Sequence, residues 1–185
     1  KPVMIHRMLG VHHFILTNAA GSLQKNIKPG SVLVIRDHVN MSGQNPLTGA
    51  NPVDVHGKPL GPRFADMSDV YDTEFSEKLK SAYKDAGIEV HEGTYISVPG
   101  PSFETPAEVR LYSQWGLHAV GMSTVWEAIA LKHSGARVSG FSLVTNYGCG
   151  LQDKTPLNHD LFEKQTEGTA LRVVQALFKL LKDTL

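Results

Sequence analysis

The chain has 185 residues, enough for one domain with a substantial core. Its 18 basic and 18 acidic residues cancel to a formal net charge of zero, which leaves no electrostatic case for binding nucleic acid or an anionic membrane surface. A single cysteine, Cys149, excludes an internal disulfide and a CxxC-type zinc site, and a reducing cytoplasm is the expected location.

The opening Lys1-Pro2-Val3-Met4 has no signal-peptide pattern, and no apolar run approaches membrane-spanning length. Residues 3–10 read as the tail of a helix stopped by Gly10, so the sequence is expected to begin inside a structural element. Residues 11–16 are a short apolar strand ending in Thr17-Asn18-Ala19-Ala20-Gly21. Small residues just past a strand let backbone N–H groups approach an anion, although an ordinary tight turn fits the same residues. After a turn at Lys28-Pro29-Gly30, residues 31–36 form a second strand. Residues 37–67 are rich in turn formers, and Leu47, Val53, Leu60 and Phe64 within them predict a packed rather than a disordered loop.

A helix is expected from Thr73 to Gly87, with Phe75, Leu79, Ala82 and Ala86 on one face, followed by strand residues 88–98. The next stretch, Gly100-Pro101-Ser102-Phe103-Glu104-Thr105, sits at a strand-to-helix corner, because Thr105-Pro106-Ala107-Glu108 is a capping box with Pro at the first helical position. That corner offers an aromatic face beside a carboxylate, a pair that suits a flat heterocycle with N–H donors. A core Phe and a carboxylate placed near a helix N-terminus explain the pair as well on local grounds. The helix after it carries Ala107, Leu111 and Trp115 at four-residue spacing and stops at Gly116.

Ala119 and Val120 form a brief strand leading to Gly121-Met122-Ser123-Thr124. Thr124 and Glu127 read as a second capping box opening a helix over residues 125–133, which puts Ser123 at a helix N-terminus suited to a phosphate or carboxylate; a plain N-cap role fits equally. Residues 138–145 are the last strand, ending at Asn146, and residues 156–185 close the chain as a helix with Ala170, Val174, Leu177 and Leu181 along one stripe. Alternating strands and helices predict an α/β domain with a central mixed, largely parallel twisted sheet flanked by helices.

Polar or small residues end several strands, at Asn18-Ala19, Phe103-Glu104, Met122-Ser123 and Asn146, and converging strand ends would place them around one pocket. Dinucleotide and P-loop fingerprints are missing from the sequence. His12 and His13, as neighbours on a strand, point to opposite faces and make a poor ligand pair, so no metal site is expected. Cys149 reads as a loop residue rather than a nucleophile.

Seven stretches occur together in order: Leu16-Thr17-Asn18-Ala19-Ala20-Gly21, Ile35-Arg36-Asp37-His38, Met67-Ser68-Asp69, Glu92-Gly93-Thr94-Tyr95, Gly100-Pro101-Ser102-Phe103-Glu104-Thr105, Val120-Gly121-Met122-Ser123-Thr124 and Thr145-Asn146. Over nearly its whole length the chain resembles the trimeric class of purine nucleoside phosphorylases. The resemblance implies reversible phosphorolysis of purine (deoxy)ribonucleosides to the free base and (deoxy)ribose 1-phosphate, with inosine and guanosine preferred to adenosine. It implies Asn146 as the catalytic residue, bonding purine O6 and N7. Phe103, Glu104, Val120 and Ala20 would accompany Asn146 around the base, Met122, His159 and Tyr71 would lie at the ribose, and Ser123 with the Ala19 backbone N–H would meet phosphate. No metal or organic cofactor is implied, and the implied assembly is a homotrimer.

The matching begins at the helix before Thr17, so the family's Gly/Ser-rich phosphate loop and Arg-x-His motif have no counterpart in the sequence given. The chain is therefore read as one phosphorylase domain, residues 1–185, lacking its N-terminal part. The loop after His38 is short, with Met41 the nearest candidate for the aromatic that family members offer a neighbouring subunit, and Trp126 stands where relatives commonly carry Pro. Competing readings are a purine- or nucleoside-binding protein without the phosphate site, a methylthioadenosine phosphorylase, and a nucleoside hydrolase. Asn146 and His159 weigh against a methylthioadenosine enzyme.

Overall fold

A computed structural model describes residues 2–152 and 159–184, with side chains described up to residue 152 and again from residue 166. The elements are α1 (Pro2–Met8), β1 (His13–Ser22), β2 (Val32–Asn40), α2 (Thr73–Asp85), β3 (Val90–Ser97), α3 (Pro106–Gln114), β4 (Ala119–Gly121), α4 (Val125–His133), β5 (Arg137–Tyr147) and α5 (His159–Thr184). The alternation read from the sequence is therefore present, and the sheet is mixed. β1 runs parallel to β5, and β3 runs parallel to both β2 and β4, whereas β1–β4 and β2–β5 are antiparallel. These pairings close the sheet into a barrel in the order β1-β4-β3-β2-β5.

Both faces of the central strands are covered. Val32 and Val34 pack with Phe75, Leu79 and Tyr83 of α2 and with Val173 and Ala176 of α5, while Leu33 and Ile35 point the other way, to Tyr95 and to Val125, Ile129 and Leu131 of α4. That two-sided burial is why residues 32–35 are apolar without alternation. A third cluster sets Val109 and Tyr112 of α3 against Ile96, Val98 and Val120.

The structure corrects several expectations. β1 continues through Ser22, so Thr17 to Gly21 belong to the strand rather than to a turn beyond it; pairing with β5 holds these small residues extended. On α3 the buried residues are Val109 and Tyr112, whereas Leu111 and Trp115, at 43 and 53% exposed, face outward with Ala107. On α5 the buried pair is Val173 and Ala176, Leu177 and Leu181 are partly buried, and Val174 is exposed, so the packed stripe is rotated from the expected one. The expected helix start at residue 156 lies outside the described residues. The long loop is partly packed, with Leu47 and Met67 against the core and Val53 and Phe64 exposed. Among the described residues, no helix is long and apolar enough to cross a membrane.

Candidate active site

The ends of β1, β4 and β5 come together because Gly21 lies opposite both Val120 and Asn146 in the sheet. The approach is close, since a Cβ at Gly21 would stand 3.2 Å from Asn146 Nδ2 and 3.6 Å from Val120 Cγ1. β3 joins through Ser97, paired with Gly121, and through the Val98 N–H, which donates to the Gly121 carbonyl at 2.9 Å. Beyond β3 the chain turns at Gly100, whose φ of 63° suits glycine, and the Met122 side chain lies directly against it. The corner carrying Phe103 and Glu104 is thus tied to the β4–α4 turn carrying Met122 and Ser123. The expected capping box is formed here: Thr105 Oγ1 accepts the Glu108 N–H at 3.3 Å and Glu108 Oε2 accepts the Thr105 N–H at 2.8 Å.

Asn146 is 7% exposed, and its amide is oriented by its neighbours. Thr145 Oγ1 donates to its Oδ1 at 2.9 Å, and its Nδ2 donates to the Tyr147 carbonyl at 3.0 Å. One N–H and one lone pair remain for another molecule. Val120 and Ala20 are buried beside it, whereas Phe103 and Met122, at 42 and 41%, are partly open to solvent, as are Ala19 and Ser123. Burial pushes the Glu104 carboxyl above the ordinary glutamate value, with its own backbone N–H pulling the other way.

Two further expected site residues are Tyr71 and His159. Tyr71 is 4% exposed in the core, packed near Gly140 on β5, and its hydroxyl meets His38 Nδ1 at 3.0 Å. Its placement is therefore that of a core residue, since its ring fills space under the sheet and its polar tip is already engaged. His159 opens α5, and its side chain lies outside the described residues. The second capping box does not form: Thr124 has φ 76° and makes no side-chain bond to the helix backbone. Its Oγ1 instead accepts the Asn18 amide at 2.8 Å, a link between residues 106 positions apart that local pattern reading cannot show. Tyr95 was missed for the same reason; it is fully buried, and its hydroxyl accepts the Ser123 N–H at 3.4 Å. Trp126 gains a structural account, since its indole N–H donates to Ser42 Oγ at 2.7 Å and ties α4 to the loop after β2.

Clefts of about 580 and 600 Å³ lie elsewhere, between α2 and α5 and between α1, the long loop and α4, and neither includes Phe103, Glu104 or Asn146. Neither brings together strand-end groups of the kind gathered around Asn146. Among the described residues, no group of three His, Cys, Asp or Glu side chains could hold a metal ion.

Residues 3–182 match the family model of the phosphorylase superfamily. The chain belongs to the phosphorylase superfamily. Among phosphorylase relatives, it is 42% identical over 181 residues to purine nucleoside phosphorylase 1 of Bacillus subtilis, covering 98% of this chain and 63% of that protein. It is 48% identical over 150 residues to the purine nucleoside phosphorylase of Bos taurus, covering 78% of this chain and 50% of that one. A Schistosoma purine nucleoside phosphorylase solved in complex with guanosine superposes with a TM-score of 0.88 at 30% identity, covering 97% of this chain and 66% of that one. This phosphorylase chain thus spans between half and two thirds of the length of these relatives.

Proposed function

We propose that the chain carries the base-recognition half of a purine nucleoside phosphorylase and takes part in reversible phosphorolysis of inosine and guanosine. The observation that carries this reading is the convergence of Asn146, Val120 and Gly21 in one place, tied through Met122 and Gly100 to the Phe103-Glu104 corner. Phosphate oxygen attacks C1′ of the nucleoside, the bond from C1′ to purine N9 breaks, and its electron pair leaves with the base, which takes up a proton. Negative charge therefore grows on the imidazole ring and O6 of the base while the sugar becomes cation-like.

Asn146 is the catalytic residue in this proposal. Its free N–H and lone pair would meet O6 and protonated N7, and because that charge develops late, the bonds help the transition state more than the bound nucleoside. Thr145 and Tyr147 hold the amide in one orientation, which saves reorganisation during the reaction. Phe103 would stack on the base, with Val120 and Ala20 forming the buried wall behind it. Glu104 would accept the N1–H of a 6-oxopurine, a bond that favours its charged form against the upward push of burial. Met122 would lie at the sugar, with Ser123 and the Ala19 N–H at phosphate. His159 keeps its ribose assignment by resemblance. A cytoplasmic homotrimer belongs to the same proposal.

The test is hypoxanthine release from inosine with and without inorganic phosphate, accompanied by calorimetric titration with hypoxanthine. Phosphate-dependent release is expected, faster with inosine than with adenosine, and Asn146→Ala should lower kcat by about 10² to 10³. Base binding without turnover would point to a binding module, and release independent of phosphate would point to a hydrolase. Full activity in Asn146→Ala would remove that residue from the mechanism.

A further inference from the structure

The β4–α4 turn holds an arrangement that base recognition does not use. Thr124 is 4% exposed and has φ 76°, and among the described residues it is the sole non-glycine at positive φ. A β-branched residue is disfavoured there, and such a conformation persists where its surroundings over-determine it. Two contacts do so. Asn18 Nδ2 on β1 donates to Thr124 Oγ1 at 2.8 Å, and Thr124 Oγ1 lies 3.2 Å from Ser123 Oγ.

The donor inventory fixes the direction of the first of these contacts. An amide nitrogen can only donate, so Thr124 Oγ1 is the acceptor from Asn18 and its own hydrogen is free for Ser123 Oγ. Either hydroxyl can be the donor in the contact between them; with Thr124 as the donor, the Ser123 hydrogen is left to point elsewhere. The Ser123 N–H is already taken by the buried Tyr95 hydroxyl, so the hydroxyl is what Ser123 can present to a ligand. Asn18 Oδ1 is meanwhile buried without a hydrogen-bond partner, a cost that is accepted where a site needs the amide in one orientation.

We propose that Thr124 donates to Ser123, so that Asn18 and Thr124 form a donor relay that fixes the Ser123 hydroxyl as a hydrogen-bond donor to phosphate, making both positioning residues for the anion. The proposal rests on the phosphorolysis reading and deepens it. Successive bonds running in one direction polarise one another, so the relay strengthens the final donor as well as aiming it. It also joins the two sides of the anion site, because Asn18 precedes Ala19 on β1 and Thr124 follows Ser123.

The test uses the full chain, with inosine phosphorolysis at varied inorganic phosphate and, in parallel, calorimetric titration with inorganic phosphate. Thr124→Val removes the hydroxyl and keeps the branch, and Asn18→Leu removes the donor without adding charge. Each should raise the phosphate KM about tenfold or more, as for loss of a hydrogen bond to a charged group, with the inosine KM held within about twofold. Thr124→Ser, which returns the hydroxyl, should recover most of the phosphate KM. An unchanged phosphate KM in Thr124→Val, or both KM values rising together, overturns the relay. If the wild-type chain cleaves no inosine, the phosphorolysis reading fails by itself and calorimetry decides the relay. The relay then stands if Thr124→Val weakens phosphate binding about tenfold, and falls if wild type and variant bind phosphate equally or not at all.

Discussion

Gly121→Ala tests how tightly Tyr95 and the end of β4 are joined. Gly121 does not sit at positive φ, so alanine meets no backbone penalty there and the whole effect comes from packing. Its Cβ would fall inside van der Waals contact of the Tyr95 hydroxyl oxygen, with the next ring atoms, Cζ and Cε2, at 3.2 and 3.3 Å. Tyr95 is fully buried and has no free direction to retreat. Overpacking of this kind costs about 1–3 kcal/mol. For a domain of this size each kcal/mol lowers Tm by about 2–4 °C, so a drop of about 2–12 °C is expected.

Tyr95→Phe removes the obstructing oxygen at the cost of its long bond to the Ser123 N–H, about 0.5–1.5 kcal/mol. Burial pushes the Tyr95 hydroxyl up to about 12, so it is neutral at working pH and no charge is lost with it. In the Tyr95→Phe background the nearest ring atoms leave Ala at 121 with tight but tolerable contacts, and Gly121→Ala should cost less. A double-mutant cycle measured by urea and thermal unfolding should therefore show coupling of at least about 1 kcal/mol, above the ordinary scatter of about 0.5 kcal/mol for independent sites. Additivity within that scatter would refute the argument that the hydroxyl is what alanine meets.

Three further outcomes are expected. Because burial raises the Glu104 carboxyl, the native state keeps its proton over a window where the unfolded chain has lost it, and stability falls as pH rises from the ordinary glutamate value through the raised one. Glu104→Gln should thus melt higher than wild type above that window and equally below it, while the inosine KM rises; matching Tm profiles at every pH would sink the idea. Asp72 caps α2 through the Phe75 N–H at 2.8 Å and accepts from Arg137 Nε at 2.6 Å; burial raises its carboxyl, but these bonds outweigh burial and hold it below the usual aspartate value. Its contribution is present above the ordinary aspartate value and is lost as pH falls through the depressed one, so Asp72→Ala should lower Tm at pH 7 by about 2–4 °C, the worth of a cap of about 1 kcal/mol, with the gap closing in acid. Val109→Ala should cost about 1–3 kcal/mol and Leu111→Ala within about 0.5 kcal/mol in chemical denaturation, and the reverse order would restore the α3 face expected from sequence.

How far the sequence could be read depended on the range of the interaction concerned. The Thr105–Glu108 capping box was legible because all its partners lie within one helical turn, and it formed as expected. Thr124 and Glu127 show the same pattern and form no box, because the Asn18 amide on β1 engages the Thr124 hydroxyl. Leu111 and Trp115 mark an apolar face correctly as a pattern, but which face of α3 meets the sheet depends on Ile96, Val98 and Val120, which come from other elements. The engagement of Tyr71 by His38 is likewise hidden from local reading, since it is a contact across 33 residues.

By itself the sequence determined the order of strands and helices, the caps and turns that depend on neighbouring residues, and, through its ordered motifs, the resemblance to a purine nucleoside phosphorylase with Phe103, Glu104 and Asn146 as its candidate base contacts. The tertiary structure alone decided that the sheet closes on itself, which side of α3 and α5 is buried, and that Asn18, Tyr95 and Thr124 converge behind Ser123. The reason is one of distance: periodicity and capping record forces between residues a few positions apart, whereas strand closure and buried polar pairs join residues far apart in the chain, and only the folded arrangement brings them within hydrogen-bond reach.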